Sequence, residues 1–186
     1  MNPLSVIAGA AEDAAFVCQR SFGETPEVQL YAKDPDFTFA YIPSHLHHIL
    51  FEVLKNSMRA VAEEHAGSSS LPVIKVVCGG GDEVDEVVIK VSDEGGGLAR
   101  SAMSKVWSYF FTTARTPGET LAGLDFSRDS PAAGLGFGLP LSRLYARYFG
   151  GDLAIMSVTG LGVDVYITLK RVGTVKEPLL ANARMV

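Results

Sequence analysis

Two pairs of strand-like segments, each joined by a short glycine-containing turn, constrain the fold of this chain most strongly. The first pair covers 73–78 and 87–92, and the second covers 152–158 and 163–169. Hairpin connections make neighbouring strands antiparallel, and helices can then cover one face of the sheet. We therefore predict an α+β fold, namely a two-layer α/β sandwich with a mixed, mostly antiparallel sheet and its helices on one face.

The remaining elements follow from periodicity and from helix-boundary residues. Apolar residues that recur with a helical period predict four helices. Ser44 is the predicted N-cap of the second helix. Two more short segments are β-like. The predicted helices are 3–22, 44–65, about 100–111 and 139–149, and the further strands are 28–32 and 37–42.

The segment 112–133 is polar, rich in Gly and Pro, and without a period. Loops of this length inside a compact domain are uncommon unless they are functional. We predict a lid over a binding site there, within a single domain spanning 1–172. Residues 173–186 are predicted to form a C-terminal tail.

Composition excludes several classes of function. Of the 186 residues 47% are hydrophobic, which suffices for the core of one domain. The net charge of −5, without a Lys/Arg stripe, argues against nucleic-acid or anionic-membrane binding. No apolar run approaches the roughly 18 residues that span a bilayer, and residues 1–15 resemble no targeting signal. Cys18 and Cys78 are far apart and lack a zinc-spaced His cluster, so we predict two reduced core thiols.

The predicted helix 44–65 carries a polar stripe of His48, Glu52, Asn56 and Arg59. Residues three or four apart share one side of a helix. A carboxamide oxygen suits Mg²⁺, a carboxylate one turn away can take a proton from a nucleophile, and a guanidinium can pair with phosphate. By itself, the same pattern is also typical of a solvated helix face.

Two glycine-rich segments complete the candidate site. Asp93 ends a predicted strand and precedes Gly95 and Gly97, so its carboxylate could accept a hydrogen bond from an adenine amine. An Asp-capped glycine turn would look the same. Glycines at 134, 136 and 138 precede a helix, where backbone N–H groups favour phosphate. No Gly-Lys-Ser/Thr follows, which excludes a Walker A loop, and no strand immediately precedes, as a dinucleotide fingerprint requires.

The order of these three elements resembles the GHKL superfamily of gyrase, Hsp90, histidine kinase and MutL-type ATPases. More specifically, Pro-Ser-His-Leu-His-His at 43–48 and Ser-Arg-Leu-Tyr-Ala-Arg-Tyr-Phe at 142–149 are similar to the mitochondrial pyruvate dehydrogenase kinases. The similarity covers about 5–172. Phe-Thr-Thr-Ala at 111–114 leans toward the sibling branched-chain α-ketoacid dehydrogenase kinase.

The resemblance implies a Bergerat ATP-binding fold and a role for each candidate residue. Asn56 would bind Mg²⁺, Glu52 would be the base for a substrate serine, and His48 would tune Glu52. Arg59 would contact phosphate, Asp93 the adenine amine, and Gly95 and Gly97 the adenine ring. Further residues expected at the nucleotide are Thr112, Thr113, Gly134, Leu135, Gly136, Phe137, Gly138 and Leu139, and K⁺ is a further candidate ion.

The resemblance also implies partners and a compartment. The expected substrates are ATP and the E1 subunit of the pyruvate dehydrogenase complex in the mitochondrial matrix. The expected partners are the E2 lipoyl domain, through an N-terminal four-helix domain absent from these residues, and a second copy of the chain. A module that binds nucleotide without kinase activity and a histidine-kinase-type ATPase remain alternatives. Val163 stands where the family usually has Thr, which is expected to weaken adenine binding by about 0.5–1.5 kcal/mol.

Overall fold

The computed structural model of the chain describes residues 1–81, 85–111 and 136–172. In these ranges the chain forms four helices and five strands. The helices are α1 Pro3–Phe22, α2 Pro43–Glu64, α3 Arg100–Met103 and α4 Gly138–Tyr148, and the strands are β1 Val28–Ala32, β2 Ile74–Gly79, β3 Glu86–Asp93, β4 Asp152–Val158 and β5 Gly162–Lys170. Their order along the chain is α1, β1, α2, β2, β3, α3, α4, β4, β5.

The five strands form one open sheet in the order β1-β2-β3-β5-β4. β1 is parallel to β2, and the other neighbours are antiparallel. In register, Cys78 faces Ile89, and Ile89 faces Ile167; all three side chains are buried. Because burial alternates along β2 and β3, one face of the sheet is covered. The predicted α+β sandwich with a mixed sheet is confirmed.

Helix α2 is the centre of the helical layer. Its apolar stripe is almost fully buried, and it contacts α1, α4 and β3. Asn2 caps α1 by accepting from the N–H groups of Leu4 and Ser5, and Gly23 ends α1 with a φ of 78°. The predicted helical stripe of α2 is confirmed at Leu46, Ile49, Leu50, Val53, Leu54, Met58 and Val61.

Three local predictions are wrong. Residues 37–42 are not a strand; Phe37 and Phe39 are buried anchors between exposed residues, and Phe39 pairs its backbone with Met1 rather than with the sheet. Ser44 is not the N-cap of α2, because Pro43 already occupies the first helical position and Ile42 precedes it. The helix expected at 100–111 ends at Met103 and continues as turns.

Both cysteines are free and buried, as predicted. Burial raises the pKa of the Cys78 thiol to about 11, so this thiol is protonated and inert at neutral pH. In the described ranges, no helix has both the length and the apolarity that crossing a membrane requires. The predicted lid at 112–133 and the tail at 173–186 lie outside the described residues.

Candidate active site

A cavity of about 700 Å³ opens between α2, the loop after β3 and the start of α4. Its volume lies in the range of sites that enclose small molecules. It gathers most of the candidate residues from three segments that are distant in sequence. These are Glu52, Asn56 and Arg59 of α2, Asp93, Gly95 and Gly97 at the end of β3, and Gly136, Gly138 and Leu139 at α4.

Asp93 is the buried carboxylate of this cavity. It is 8% exposed, and its Oδ1 accepts hydrogen bonds from the backbone N–H groups of Gly95 (3.1 Å) and Val163 (3.2 Å). Burial raises the pKa of Asp93, and hydrogen bonds from Ser57 and the two backbone groups oppose that rise. The carboxylate is therefore held in one orientation in a buried position, where it can accept a hydrogen bond from an amine.

The glycines after Asp93 are required by packing as well as by the cavity. Gly97 has a φ of 73°, and a Cβ there would overlap the carbonyl of Val158. A Cβ at Gly95 would overlap Ala60 of α2. The loop is further tied to β4 because the Leu98 N–H donates to Ser157 Oγ at 2.7 Å. These contacts fix the wall of the cavity next to Asp93.

Glu52 forms a close ion pair with Lys55, which lies one turn later on α2. The Nζ of Lys55 donates to Oε1 of Glu52 at 2.7 Å, and both side chains are largely buried. Lys55 also lines the cavity. Lys55 was not predicted as a site residue, although its i,i+3 spacing from Glu52 places it on the same polar stripe of α2. Lys55 gives Glu52 a fixed partner on one oxygen.

The start of α4 closes the cavity beside Glu52. A Cβ on Gly138 would overlap the Glu52 Oε2, so this carboxylate lies against the first residue of α4. Among the residues that the structure describes, no side chain caps that helix at Phe137. The first N–H groups of an uncapped helix, with the positive end of its dipole, form a site for anions. Gly136, with a φ of 75°, lets the chain turn into this helix.

Residues 41–173 match the model of the histidine kinase-, DNA gyrase B-, and HSP90-like ATPase family. The chain belongs to this family. The three cavity-lining segments, from α2, the end of β3 and the start of α4, all lie within the matched residues. Membership of this ATPase family supports the predicted binding of ATP by the chain.

Three proteins similar to this chain are mitochondrial pyruvate dehydrogenase (acetyl-transferring) kinases. That of Arabidopsis thaliana is 48% identical over 182 residues, covering 96% of this chain and 49% of the relative. That of Schizosaccharomyces pombe is 48% identical over 184 residues, covering 96% and 42%. Human isozyme 4 is 42% identical over 172 residues, covering 90% and 40%. The chain therefore spans less than half the length of these relatives.

His48 does not line the cavity that Asp93 and Glu52 share. It lies on a separate cleft of about 350 Å³ between α1 and α2, which Asp13, Phe16 and His47 also line. Burial lowers the pKa of His48 against the opposing pull of the Glu52 carboxylate. The imidazole is therefore neutral at physiological pH and one helical turn from Glu52.

The other predicted residues have different placements. Arg59 reaches the cavity, with its Nε 3.9 Å from Oε1 of Glu63. Phe137 is not among the cavity-lining residues, and packs instead on Tyr109 and Phe110. The predicted nucleotide contacts Thr112, Thr113, Gly134 and Leu135 lie outside the described residues.

Proposed function

We propose that this chain is the ATP-binding catalytic domain of a mitochondrial protein serine kinase that phosphorylates the E1 subunit of the pyruvate dehydrogenase complex. The observation that carries the proposal is the shared cavity, which has an amine-accepting carboxylate at one end and a carboxylate base at the start of a helix at the other. The names of the relatives supply the substrate complex and the compartment.

Asp93 accepts a hydrogen bond from the exocyclic amine of adenine in this proposal. The two backbone N–H groups that donate to Oδ1 already fix the carboxylate, so its side chain loses little conformational entropy when adenine binds. A base with a carbonyl at the same position would leave the buried carboxylate facing another acceptor. Such an unpaired group costs about 1–3 kcal/mol, which makes Asp93 the residue that selects adenine.

The phosphates lie at the start of α4, where Gly138 and Leu139 offer backbone N–H groups, and Arg59 adds positive charge. In the described ranges, no group of three or more His, Cys, Asp or Glu side chains could hold a metal ion. Asn56 lines the cavity, and its carboxamide oxygen would be the protein ligand of a Mg²⁺ ion that takes its other ligands from phosphate and water. Mg²⁺ supplies neutralisation of the charge that develops on the phosphates. A role for K⁺ stays a prediction.

Glu52 accepts the proton of the substrate serine hydroxyl as the serine oxygen bonds to the γ-phosphorus. The bond between that phosphorus and the β,γ-bridging oxygen breaks, and ADP leaves. Lys55 holds Oε1, so Oε2, which lies against Gly138, is the oxygen that takes the proton. Base catalysis of this kind contributes about 10²–10⁴-fold, and positioning supplies the rest.

The remaining partners are part of the same proposal. A matrix location, recruitment by the E2 lipoyl domain through residues outside this chain, and a homodimer all follow from the family resemblance. Apolar side chains on the uncovered face of the sheet support the homodimer, since such patches mark interfaces. They include Tyr31 of β1, Val77 of β2, and Met156 and Val158 of β4.

A nucleotide-binding module without kinase activity is the second candidate, and Val163 favours it. This side chain lines the cavity beside Asp93 and brings no hydroxyl to the adenine. Only its backbone N–H reaches Asp93. The module would bind Mg·ATP and transfer no phosphate.

One assay separates the two candidates. Transfer of the γ-phosphate to E1 is measured at high E1 concentration for the wild type, Glu52→Gln and the exposed control Glu12→Gln. The kinase proposal expects transfer by the wild type and the control, a loss of about 10²–10⁴-fold in Glu52→Gln, and similar Mg·ADP affinity in all three. Tight ATP binding without transfer by the wild type would identify the module.

A further inference from the structure

Three aromatic rings join α2 to α4 beside the candidate base. The imidazole of His45 stacks on Tyr145, with centroids 4.6 Å apart and planes at 19°. The imidazole of His48 meets the same tyrosine ring edge to face, at 5.3 Å and 89°. Tyr145 therefore contacts two histidines of α2 from its position on α4.

His48 has few other constraints. Its Nε2 is buried and has no hydrogen-bond partner in the part of the chain that the structure describes. On the α1 side it borders the open cleft lined by Phe16 and Phe51. Since the cleft leaves room for the imidazole to turn, the edge-to-face contact with Tyr145 fixes its orientation.

Tyr145 lies two helical turns after Gly138 on the same helix. Gly138 lies against the Glu52 carboxylate, and His48 lies one turn before Glu52 on α2. The helix that offers its first N–H groups to phosphate thus also holds the imidazole next to the base. Because α4 is a continuous helix, the Gly138–Glu52 contact and the Tyr145–His48 contact have a fixed relative position.

We propose that Tyr145 is a positioning residue for phosphoryl transfer, which aligns His48 and, through it, Glu52 with the phosphate-binding end of α4. The proposal rests on the function proposed above for Glu52. It requires the Tyr145 ring and not its hydroxyl. The charged and titratable groups around His48 are Glu52, Lys55, His45 and His47 on α2, Asp13 of α1 through His47, and Tyr145 of α4.

The test is a double-mutant cycle in the full chain. Tyr145→Leu is expected to lower kcat about tenfold or more, as small misalignments of catalytic groups do, with the KM for ATP within about twofold. Because Tyr145 acts through His48, Tyr145→Leu adds no further loss in a His48→Gln background. Tyr145→Phe restores the rate, and Tyr148→Leu on the exposed side of α4 is the matched control. Equal losses from Tyr145→Leu with and without His48 overturn the proposal.

A second readout needs no turnover, so the proposal stays testable if the kinase function itself fails. Imidazole resonances of His48 are followed by NMR against pH in the wild type and the two Tyr145 variants. Tyr145→Leu is expected to admit water and raise the pKa of His48 toward the ordinary value, whereas Tyr145→Phe keeps it low. An unchanged His48 titration in Tyr145→Leu contradicts the proposal, whatever the activity. If the wild type transfers no phosphate but Tyr145→Leu still raises the pKa of His48, only the kinase function is refuted.

Discussion

The carboxylate of Glu52 lies directly against Gly138, the residue at which α4 begins. Lys55 binds the other carboxylate oxygen at 2.7 Å. A base on one helix is thereby fixed against the anion-binding end of another. This contact explains why a side chain at position 138 would be harmful even though the backbone there is helical.

Gly138→Ala tests that contact. The new methyl group is expected to push the Glu52 carboxylate aside, which its flexible side chain permits at little cost in stability. Phosphoryl transfer falls about tenfold or more because the base is displaced, while Mg·ADP binding by calorimetry changes less. Gly9→Ala in α1, where an added Cβ meets nothing within 4 Å, is the matched control. Full transfer by Gly138→Ala would show that Glu52 lies elsewhere during catalysis.

Lys55→Met tests the buried ion pair. Removing the ammonium leaves the largely buried Glu52 carboxylate without its partner, so the free energy of unfolding is expected to fall by about 3 kcal/mol. Urea denaturation measures the change, with Lys75→Met on the exposed side of β2 as control. The double variant Glu52→Gln, Lys55→Met recovers part of the loss, since no unpaired charge remains. If Lys55→Met is as stable as Lys75→Met, the pair contributes nothing to the fold.

Asp93→Asn separates adenine recognition from the fold. The amide oxygen can still accept from Gly95 and Val163, but the amide nitrogen cannot accept from adenine. ATP affinity is expected to fall about tenfold, equivalent to 1.4 kcal/mol, and the preference for ATP over GTP to shrink. Titration calorimetry with both nucleotides checks this, and equal ATP affinity in the variant would remove Asp93 from the adenine site.

The same variant has a pH signature in the nucleotide-free protein. Burial raises the folded-state pKa of Asp93 above its unfolded value, so the ionised carboxylate destabilises the fold. Asp93→Asn removes that cost and is expected to have the higher Tm at neutral pH. The advantage diminishes as the pH falls through the raised pKa, because protonation removes the same cost from the wild type. A difference in Tm that grows toward acid pH contradicts the assignment.

Val163→Thr restores the hydroxyl that the family usually places beside the adenine. One added hydrogen bond is worth about 0.5–1.5 kcal/mol, so ATP should bind about two- to tenfold more tightly. Val77→Thr, half-exposed on the opposite face of the sheet, controls for the substitution itself. Unchanged ATP affinity in Val163→Thr would show that position 163 does not contact the base.

Periodicity predicted the elements whose burial follows a regular pattern. The apolar stripe of α2 and the alternation of β2 and β3 are dense enough to define helix and strand, so their bounds differ from the prediction by one residue. Residues 37–42 show why a period is not sufficient. Their aromatic residues alternate because each is anchored separately in the core, and the backbone bonds to the N-terminus instead of to a strand.

The candidate site was predictable where chemistry and spacing coincide, at Glu52, Asn56 and Asp93. Lys55 was missed although it shares the polar stripe with Glu52, because such a spacing is equally typical of a solvated helix face. Only the structure shows that Lys55 is buried and paired with Glu52. The contacts of His45 and His48 with Tyr145 could not be predicted, because they join α2 to a helix far away in sequence. Residue spacing within one helix gives no information about its contacts with another helix.

Calorimetric titration of the wild-type chain and of Asn56→Ala with ADP, with and without Mg²⁺, tests the central claim most directly. One cavity that binds nucleotide through Asp93 and a metal through Asn56 predicts a single site in the wild type whose affinity rises with Mg²⁺. Asn56→Ala is expected to lose that Mg²⁺-dependent gain, about tenfold or more for a contact to a charged group, and to keep the metal-free affinity. No heat of binding in the wild type, or an undiminished effect of Mg²⁺ in Asn56→Ala, would contradict it.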